Sequence, residues 1–206
     1  ILPAGDTVLN YSYTVQAGDP DPLVNIVSMA CIVGEGFGNV LNASDDHSTD
    51  LFQPAIDVAK TGDDLSKVGD DVDYTITLSN NSSAGTPDLN CVATDDLLGE
   101  VFNGVLPAGD TVINTSRTVV AGDPDPLVNT VTMDCTVAGF GNQLSDYDSH
   151  STNLFQPAID VAKTGDALSK VGDLVDYTIT LSNNSSGDTP AMDCVATDNL
   201  LGEVFN

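Results

Sequence analysis

The chain consists of a single sequence that occurs nearly twice. Leu51–Lys60 recurs as Leu154–Lys163 at an offset of 103 residues (154 − 51), and Leu2–Val8 recurs as Leu106–Val112 at an offset of 104 (106 − 2). A period of this length is typical of an array of whole domains, in which each repeat is one supersecondary assembly. An enzyme would have to carry every reactive residue twice, so the repeat favours a structural protein without catalytic residues.

Composition limits the class of protein further. The 206 residues are enough for about two domains, and a hydrophobic content of 41% is enough for packed cores. The net charge of −26 excludes nucleic acid as a partner, because phosphates are bound by Lys and Arg. The same charge opposes binding to anionic membranes. No stretch is long and apolar enough to insert into a bilayer.

The hydrophobic pattern predicts β-strands throughout. From Val72 to Leu78, apolar residues alternate with polar ones, which is the period of a half-buried strand. Residues 56–60 and 127–137 alternate in the same way, and turn-forming Gly, Pro, Asn and Asp cluster between such segments. About seven short strands in about a hundred residues is the number in an immunoglobulin-like sandwich.

Five motifs carry a resemblance to a known family: Pro54–Thr61, Val68–Asn80, Cys91–Asp95, Leu106–Asp110 and Val128–Val131. In order and spacing they resemble the tandem β-sandwich repeats of large bacterial and archaeal surface proteins, which are related to the B-type domains of collagen adhesins and pilins. The resemblance implies an all-β chain of tandem immunoglobulin-like (CnaB-like) sandwiches, located outside the cell or on its surface, with no cofactor. The cysteines and the very low lysine content depart from the family pattern.

Alignment to this family predicts where the units begin and end. One complete repeat is expected at 54–156, with 1–53 as the C-terminal half of the preceding unit and 157–206 as the N-terminal half of the next. Half a sandwich exposes apolar faces and strand edges and should not stand alone. Two alternatives remain: a window of one long polypeptide, or separate subunits that complete each other. Both give a filament, because a head-to-tail contact that does not close extends indefinitely.

The four cysteines predict disulfides. Cys91 and Cys135 fall in one unit and both face inward by parity, so we expect them to be bonded to each other. On the loop-entropy model this bridge contributes about 3–4 kcal/mol. By repeat symmetry Cys194 should pair with Cys31 of a neighbouring copy. The alternative is four buried free thiols; CxxC spacing, which would indicate a metal site, is missing.

An inward-facing lysine gives the most specific chemical hypothesis. Lys60 shares parity with core residues, as do Asn129 on a late strand and Asp95 between them. This set resembles the self-forming Lys–Asn isopeptide bonds of pilin domains, where burial favours a neutral amine and an acid that shuttles protons. The second set comprises Lys163 and Asp198, with Asn25 from a neighbouring copy. Alternatively, the lysine extends its amine to the rim of the sheet and the asparagine bonds the backbone.

Other candidate sites are simpler. Seven asparagines begin Asn-x-Ser/Thr sequons and are candidates for glycosylation: Asn10, Asn42, Asn80, Asn81, Asn114, Asn183 and Asn184. The Gly-Asp-Pro-Asp-Pro loops are interpreted as turns, with calcium binding as an alternative. We predict no metal site and no catalytic residues.

Two functions are consistent with these features. The first is a structural filament or stalk whose partners are copies of the same chain, joined head to tail. The second is a repetitive adhesin whose domains bind glycan or protein ligands on other cells or surfaces. Near-identical loops in the two copies favour the filament, because adhesins carry distinct loops in a tip domain.

Overall fold

The computed structural model describes residues 1–34 and 36–206, and all regular elements in this part of the chain are β-strands. In chain order they are β1 (Leu23–Ile32), β2 (Val40–Thr49), β3 (Ile56–Gly62), β4 (Leu65–Ser66), β5 (Asp71–Asn80), β6 (Leu89–Asp95), β7 (Gly99–Leu106), β8 (Gly109–Thr118), β9 (Leu127–Val137), β10 (Gln143–Leu154), β11 (Ile159–Gly165), β12 (Tyr177–Asn183), β13 (Ala196–Asp198) and β14 (Gly202–Phe205). The described residues include no helix of the length and apolarity that a membrane span requires.

Strands β3 to β10 form a two-layer sandwich. One sheet has the order β3-β5-β8 and the other has the order β4-β10-β9-β6-β7. The pairings are antiparallel, apart from the short parallel pair of β4 with β10. Val72 and Tyr74 of the first sheet share a core cluster with Leu127 and Leu154 of the second. The predicted all-β, immunoglobulin-like sandwich is confirmed.

Alternating burial along the strands builds this core. On β5, Ile76 and Leu78 are fully buried, whereas Asp71 and Asp73 are exposed and Thr77 is half-buried. Strand β6 is buried at every second residue, and on β9 Val131 and Met133 are fully buried. A strand exposes successive side chains on opposite faces, so the period of two fixes which residues enter the core.

The chain divides into two compact units. The first consists of Ile1–Pro54 with Ser82–Thr86 and contains the antiparallel pair β1–β2. The second consists of Ala55–Asn81 with Pro87–Asn206, and it contains the sandwich together with the two-stranded sheets β11–β12 and β13–β14. The predicted unit boundaries after residues 53 and 156 stay predictions.

Candidate functional site

A buried ion pair lies in the core of the sandwich. Nζ of Lys60, on β3, donates a hydrogen bond to Oδ2 of Asp95, the last residue of β6. Neither side chain is exposed to solvent. The other carboxylate oxygen of Asp95 accepts the backbone N–H groups of Leu97 and Leu98, each at 3.0 Å. The turn after β6 therefore fixes the orientation of the carboxylate toward the lysine.

Two carboxylates hold β3 in place at the edge of its sheet. Oδ2 of Asp146 accepts the backbone N–H of Val58, and Oδ2 of Asp148 accepts that of Lys60, both at 2.7 Å. These aspartates are two residues apart on β10, which belongs to the opposite sheet. Their side chains occupy donors on β3 that would otherwise face an open sheet edge, and they hold Lys60 so that its side chain enters the core.

Asn129 lies in the same core without a hydrogen-bond partner. It is fully buried on β9, opposite His150 in the register with β10. Within residues 1–34 and 36–206, neither its amide oxygen nor its amide nitrogen makes a hydrogen bond. A buried polar group left unpaired costs about 1–3 kcal/mol, so such a group in a folded protein calls for a functional explanation.

The ring of Tyr74 lies beside the amine of Lys60, in the same core as Asp95 and Asn129. Its ring centroid is 4.7 Å from Nζ of Lys60, and burial raises the pKa of its hydroxyl. Asn129 and Asp95 are close enough to influence that pKa, Asn129 lowering it and Asp95 raising it. The structure thus brings together the predicted set, Lys60, Asp95 and Asn129, around a tyrosine that the sequence analysis did not single out.

The second predicted set is only partly assembled. Nζ of Lys163 donates to Oδ2 of Asp198, and the lysine side chain is 36% exposed. The hydrogen bond from Lys163 and the N–H of Leu200 hold the pKa of Asp198 below its usual range. Asn25, expected from a neighbouring copy, is an exposed residue of β1 opposite His47. Its pairing with Lys163 stays a prediction.

Two of the cysteines are bonded to each other and two are free. A disulfide joins Cys91 and Cys135, which lie opposite each other in the β6–β9 register with their Cα atoms 4.1 Å apart. Among the described residues, Cys31 is half-buried and free, and Cys194 is exposed and free. The predicted bridge between Cys194 and Cys31 of a neighbouring copy is therefore still a prediction.

The sequons differ in the accessibility of the amide nitrogen that would carry a glycan. Six of the asparagines are exposed: Asn10, Asn42, Asn81, Asn114, Asn183 and Asn184. Asn80 is half-buried, and its Nδ2 donates to the carbonyl of Leu106 at 3.1 Å. A glycan at Asn80 would have to break this bond, whereas the adjacent Asn81 is exposed just after the end of β5.

The sequence contains one feature that could have indicated the position of Tyr74, a glycine at the end of β3. Gly62 lies opposite Tyr74 in the β3–β5 register. A Cβ atom there would be 2.8 Å from Cδ1 of Tyr74 and 3.0 Å from Cδ2 of His150. Glycine within a strand often marks the close approach of another group, and here it gives the tyrosine ring room beside β3.

Comparison with known proteins does not assign the chain to a family. No family model matches the chain, and no curated protein matches it. Among solved structures, the crystal structure of a CARDB domain from Pyrococcus furiosus, in complex with di-metal ions, matches with 15% sequence identity and a TM-score of 0.33. The match covers 49% of this chain and 93% of that one.

Proposed function

We propose that this chain is a structural segment of an extracellular filament built from head-to-tail β-sandwich repeats, and that Lys60 and Asn129 form an isopeptide bond within its repeat. One observation carries the covalent part. The amide of Asn129 is buried without a hydrogen-bond partner among the described residues, in the core that also holds the buried Lys60–Asp95 pair. Strands β3 and β9, which carry the lysine and the asparagine, contact each other across the sandwich.

The chemistry needs no external reagent. A proton passes from the ammonium group of Lys60 to Asp95, since burial disfavours two separate charges. The neutral Nζ then attacks Cγ of Asn129, and a new C–N bond forms. Asp95 gives its proton to Nδ2 and takes one from Nζ, the bond between Cγ and Nδ2 breaks, and ammonia departs. The proton then left on Asp95 leaves with the ammonia as ammonium. The products are one amide cross-link and one ammonia.

Such a bond would suit a load-bearing domain. It would connect β3 of the three-stranded sheet to β9 of the five-stranded sheet, while the Cys91–Cys135 disulfide already connects β9 to β6. The isopeptide bond would then join the two sheets, and the disulfide would join neighbouring strands within the five-stranded sheet. Disulfides form in oxidising compartments, which supports an extracellular location.

Exposed core positions support the head-to-tail contact between copies. Val161 is 61% exposed, whereas its counterpart Val58 is 6% exposed, and Leu181 is 39% exposed against 0% for Leu78. In the sandwich, these positions are covered by strands from residues 104–156. Residues 1–53 carry the counterpart of that covering sequence, so we propose that 1–53 of a neighbouring copy packs on 157–206. Asn25 would then meet Lys163, and Cys31 would meet Cys194.

Intact mass spectrometry of the reduced protein tests the covalent part. We expect a mass below the sequence mass by one ammonia, and a cross-linked peptide containing Lys60 and Asn129 after proteolysis. Asn129→Ala is the matched control and should restore the full mass less the side-chain difference. An unmodified mass, with Lys60 open to acetylation after denaturation, would exclude the bond.

Electron microscopy of the purified chain tests the filament. We expect fibres with an axial repeat of one domain, and we expect Val161→Asp to abolish them because a charge would be buried in the contact. Val92→Asp, on the outer face of β6, is the control and should leave fibres intact. Monodisperse single chains under all conditions would contradict the head-to-tail contact.

A further inference from the structure

The unpaired polar atoms of the core belong to two residues. In the part of the chain that the structure describes, the buried side-chain atoms without a hydrogen-bond partner are Oη of Tyr74 and both amide atoms of Asn129. Buried polar groups are otherwise satisfied in folded proteins. Oη of Tyr74 lacks an acceptor and Oδ1 of Asn129 lacks a donor, and Asn129 is near enough to influence the pKa of the hydroxyl. Two groups of complementary chemistry are therefore left unpaired in one core.

The position of the tyrosine ring is closely determined. It lies beside Gly62, where any Cβ would approach Cδ1 of the ring to 2.8 Å. The ring of His150 packs edge-on against it, with centroids 6.2 Å apart and planes at 75°. Nζ of Lys60 lies 4.7 Å from the ring centroid. The hydroxyl is therefore held in one place rather than free to turn toward solvent.

We propose that the Tyr74 hydroxyl donates a hydrogen bond to the amide oxygen of Asn129 while Lys60 attacks it. This role rests on the proposed isopeptide bond. As Nζ adds to Cγ, negative charge develops on Oδ1, and a fixed donor in a water-excluded site stabilises that charge. Asp95 is already engaged by Lys60 and by the N–H groups of the following turn. It handles the protons, and Tyr74 stabilises the oxygen.

The ionisation state of Tyr74 is suited to this role. Burial raises the pKa of the hydroxyl, so it keeps its proton at neutral pH and can donate it to a hydrogen bond. Asn129 and Thr152 lie beside the hydroxyl and moderate the rise, although neither forms a hydrogen bond with it in this structure. Oγ1 of Thr152 instead donates to the carbonyl of Asp63 at 2.7 Å.

The Tyr74→Phe variant separates this role from simple packing. Phenylalanine keeps the ring beside Gly62 and next to Lys60, and it removes a hydroxyl that has no partner. A packing role therefore predicts unchanged stability and an unchanged rate of cross-linking. The matched control is Tyr177→Phe in the second copy, where the ring lies 4.2 Å from Nζ of Lys163 but is 40% exposed.

The experiment times the loss of ammonia from newly made chains. Wild type, Tyr74→Phe and Tyr177→Phe are produced by cell-free synthesis in an oxidising glutathione buffer, chased, and sampled for intact mass. We expect Tyr74→Phe to react about a hundredfold more slowly, as when an oxyanion donor is lost, and Tyr177→Phe to match wild type at the Lys60 bond. Urea unfolding of each variant verifies that the sandwich is folded.

The outcomes distinguish the two proposals. A Tyr74→Phe chain that is folded and loses ammonia at the wild-type rate overturns the role of Tyr74 and leaves the isopeptide bond standing. A wild-type chain that retains its full mass overturns the bond itself, and the role of Tyr74 with it.

Discussion

The two copies of the lysine site share a sequence and differ in their surroundings. Lys60 and Lys163 each donate to an aspartate thirty-five positions further on, and each lies against a tyrosine ring. The side chain of Lys60 is fully buried, whereas that of Lys163 is 36% exposed. Identical local sequence therefore produces the same contacts but not the same environment.

The difference originates in the covering strands. In the sandwich, β8 pairs along β5 from Asp71 to Asn80, and β9 pairs along the whole of β6. In the second copy, β12 begins only at Tyr177, and β13 has three residues where β6 has seven. The contacts of the lysine with the aspartate and the tyrosine thus form in both copies. The lysine and the tyrosine are buried only in the first copy, whereas the aspartate is buried in both.

Replacing each lysine by methionine should give the largest difference between the copies. Lys60→Met leaves Asp95 buried without its cation, and the free energy of unfolding should fall by about 3–5 kcal/mol. Lys163→Met removes an ion pair in a half-open site, so the loss should stay below about 1 kcal/mol. Hydrogen exchange of the β5 and β12 amides in urea measures the two sites separately.

The loss of stability expected for Lys60→Met is a lower limit where the Lys60–Asn129 bond has formed, because this substitution also prevents that bond. Equal and small losses at the two sites would contradict the claim that burial distinguishes them.

The disulfide should give the next largest effect. Replacing Cys91 and Cys135 together by alanine opens a loop with a sequence separation of 44 residues and should lower stability by about 4 kcal/mol on the loop-entropy model. Labelling of thiols in denaturant without reductant should modify Cys31 and Cys194 of single chains. In filaments assembled as proposed, neither should be labelled, and continued labelling there would exclude the bridge between copies.

Truncating a matched leucine should give an intermediate effect. Leu78 is fully buried on β5, and Leu78→Ala should cost about 3 kcal/mol through lost burial and the cavity left behind. Its counterpart Leu181 is 39% exposed, so Leu181→Ala should cost about 1 kcal/mol or less. Hydrogen exchange again reports each strand, and the two costs should converge in filaments if a neighbouring copy covers Leu181.

Sequence parity was enough to place the three residues of the proposed bond in the core. Lys60, Asp95 and Asn129 face inward because a strand with one buried face tolerates no shift of one residue. Parity also placed Cys91 and Cys135 on the same face, where the structure joins them. Which side chains face the core follows from the alternation along each strand, so it can be predicted one strand at a time.

Contacts between strands could not be derived in this way. Tyr74 lies beside Gly62 only because of the register between β3 and β5, and a single sequence does not fix that register. The bonds from Asp146 and Asp148 to the backbone of β3 join residues 88 positions apart. The exposure of Lys163 could not be derived from its own sequence, which matches that around Lys60. It reflects the shorter strands of the second copy.

The smallest effect concerns the titration of Asp198. The hydrogen bond from Lys163 and then the N–H of Leu200 lower its pKa, so the interaction stabilises this part of the fold above the unfolded pKa of about 3.9. The contribution is lost as the pH falls through the lower, folded value. Lys163→Met should raise the pKa, as measured by NMR titration of the carboxyl carbon.

In filaments the neighbouring copy should exclude water from the site, and this burial opposes ionisation. The Asp198 midpoint should therefore be higher in filaments than in single chains, and an identical midpoint would mean that the neighbouring copy leaves the site open.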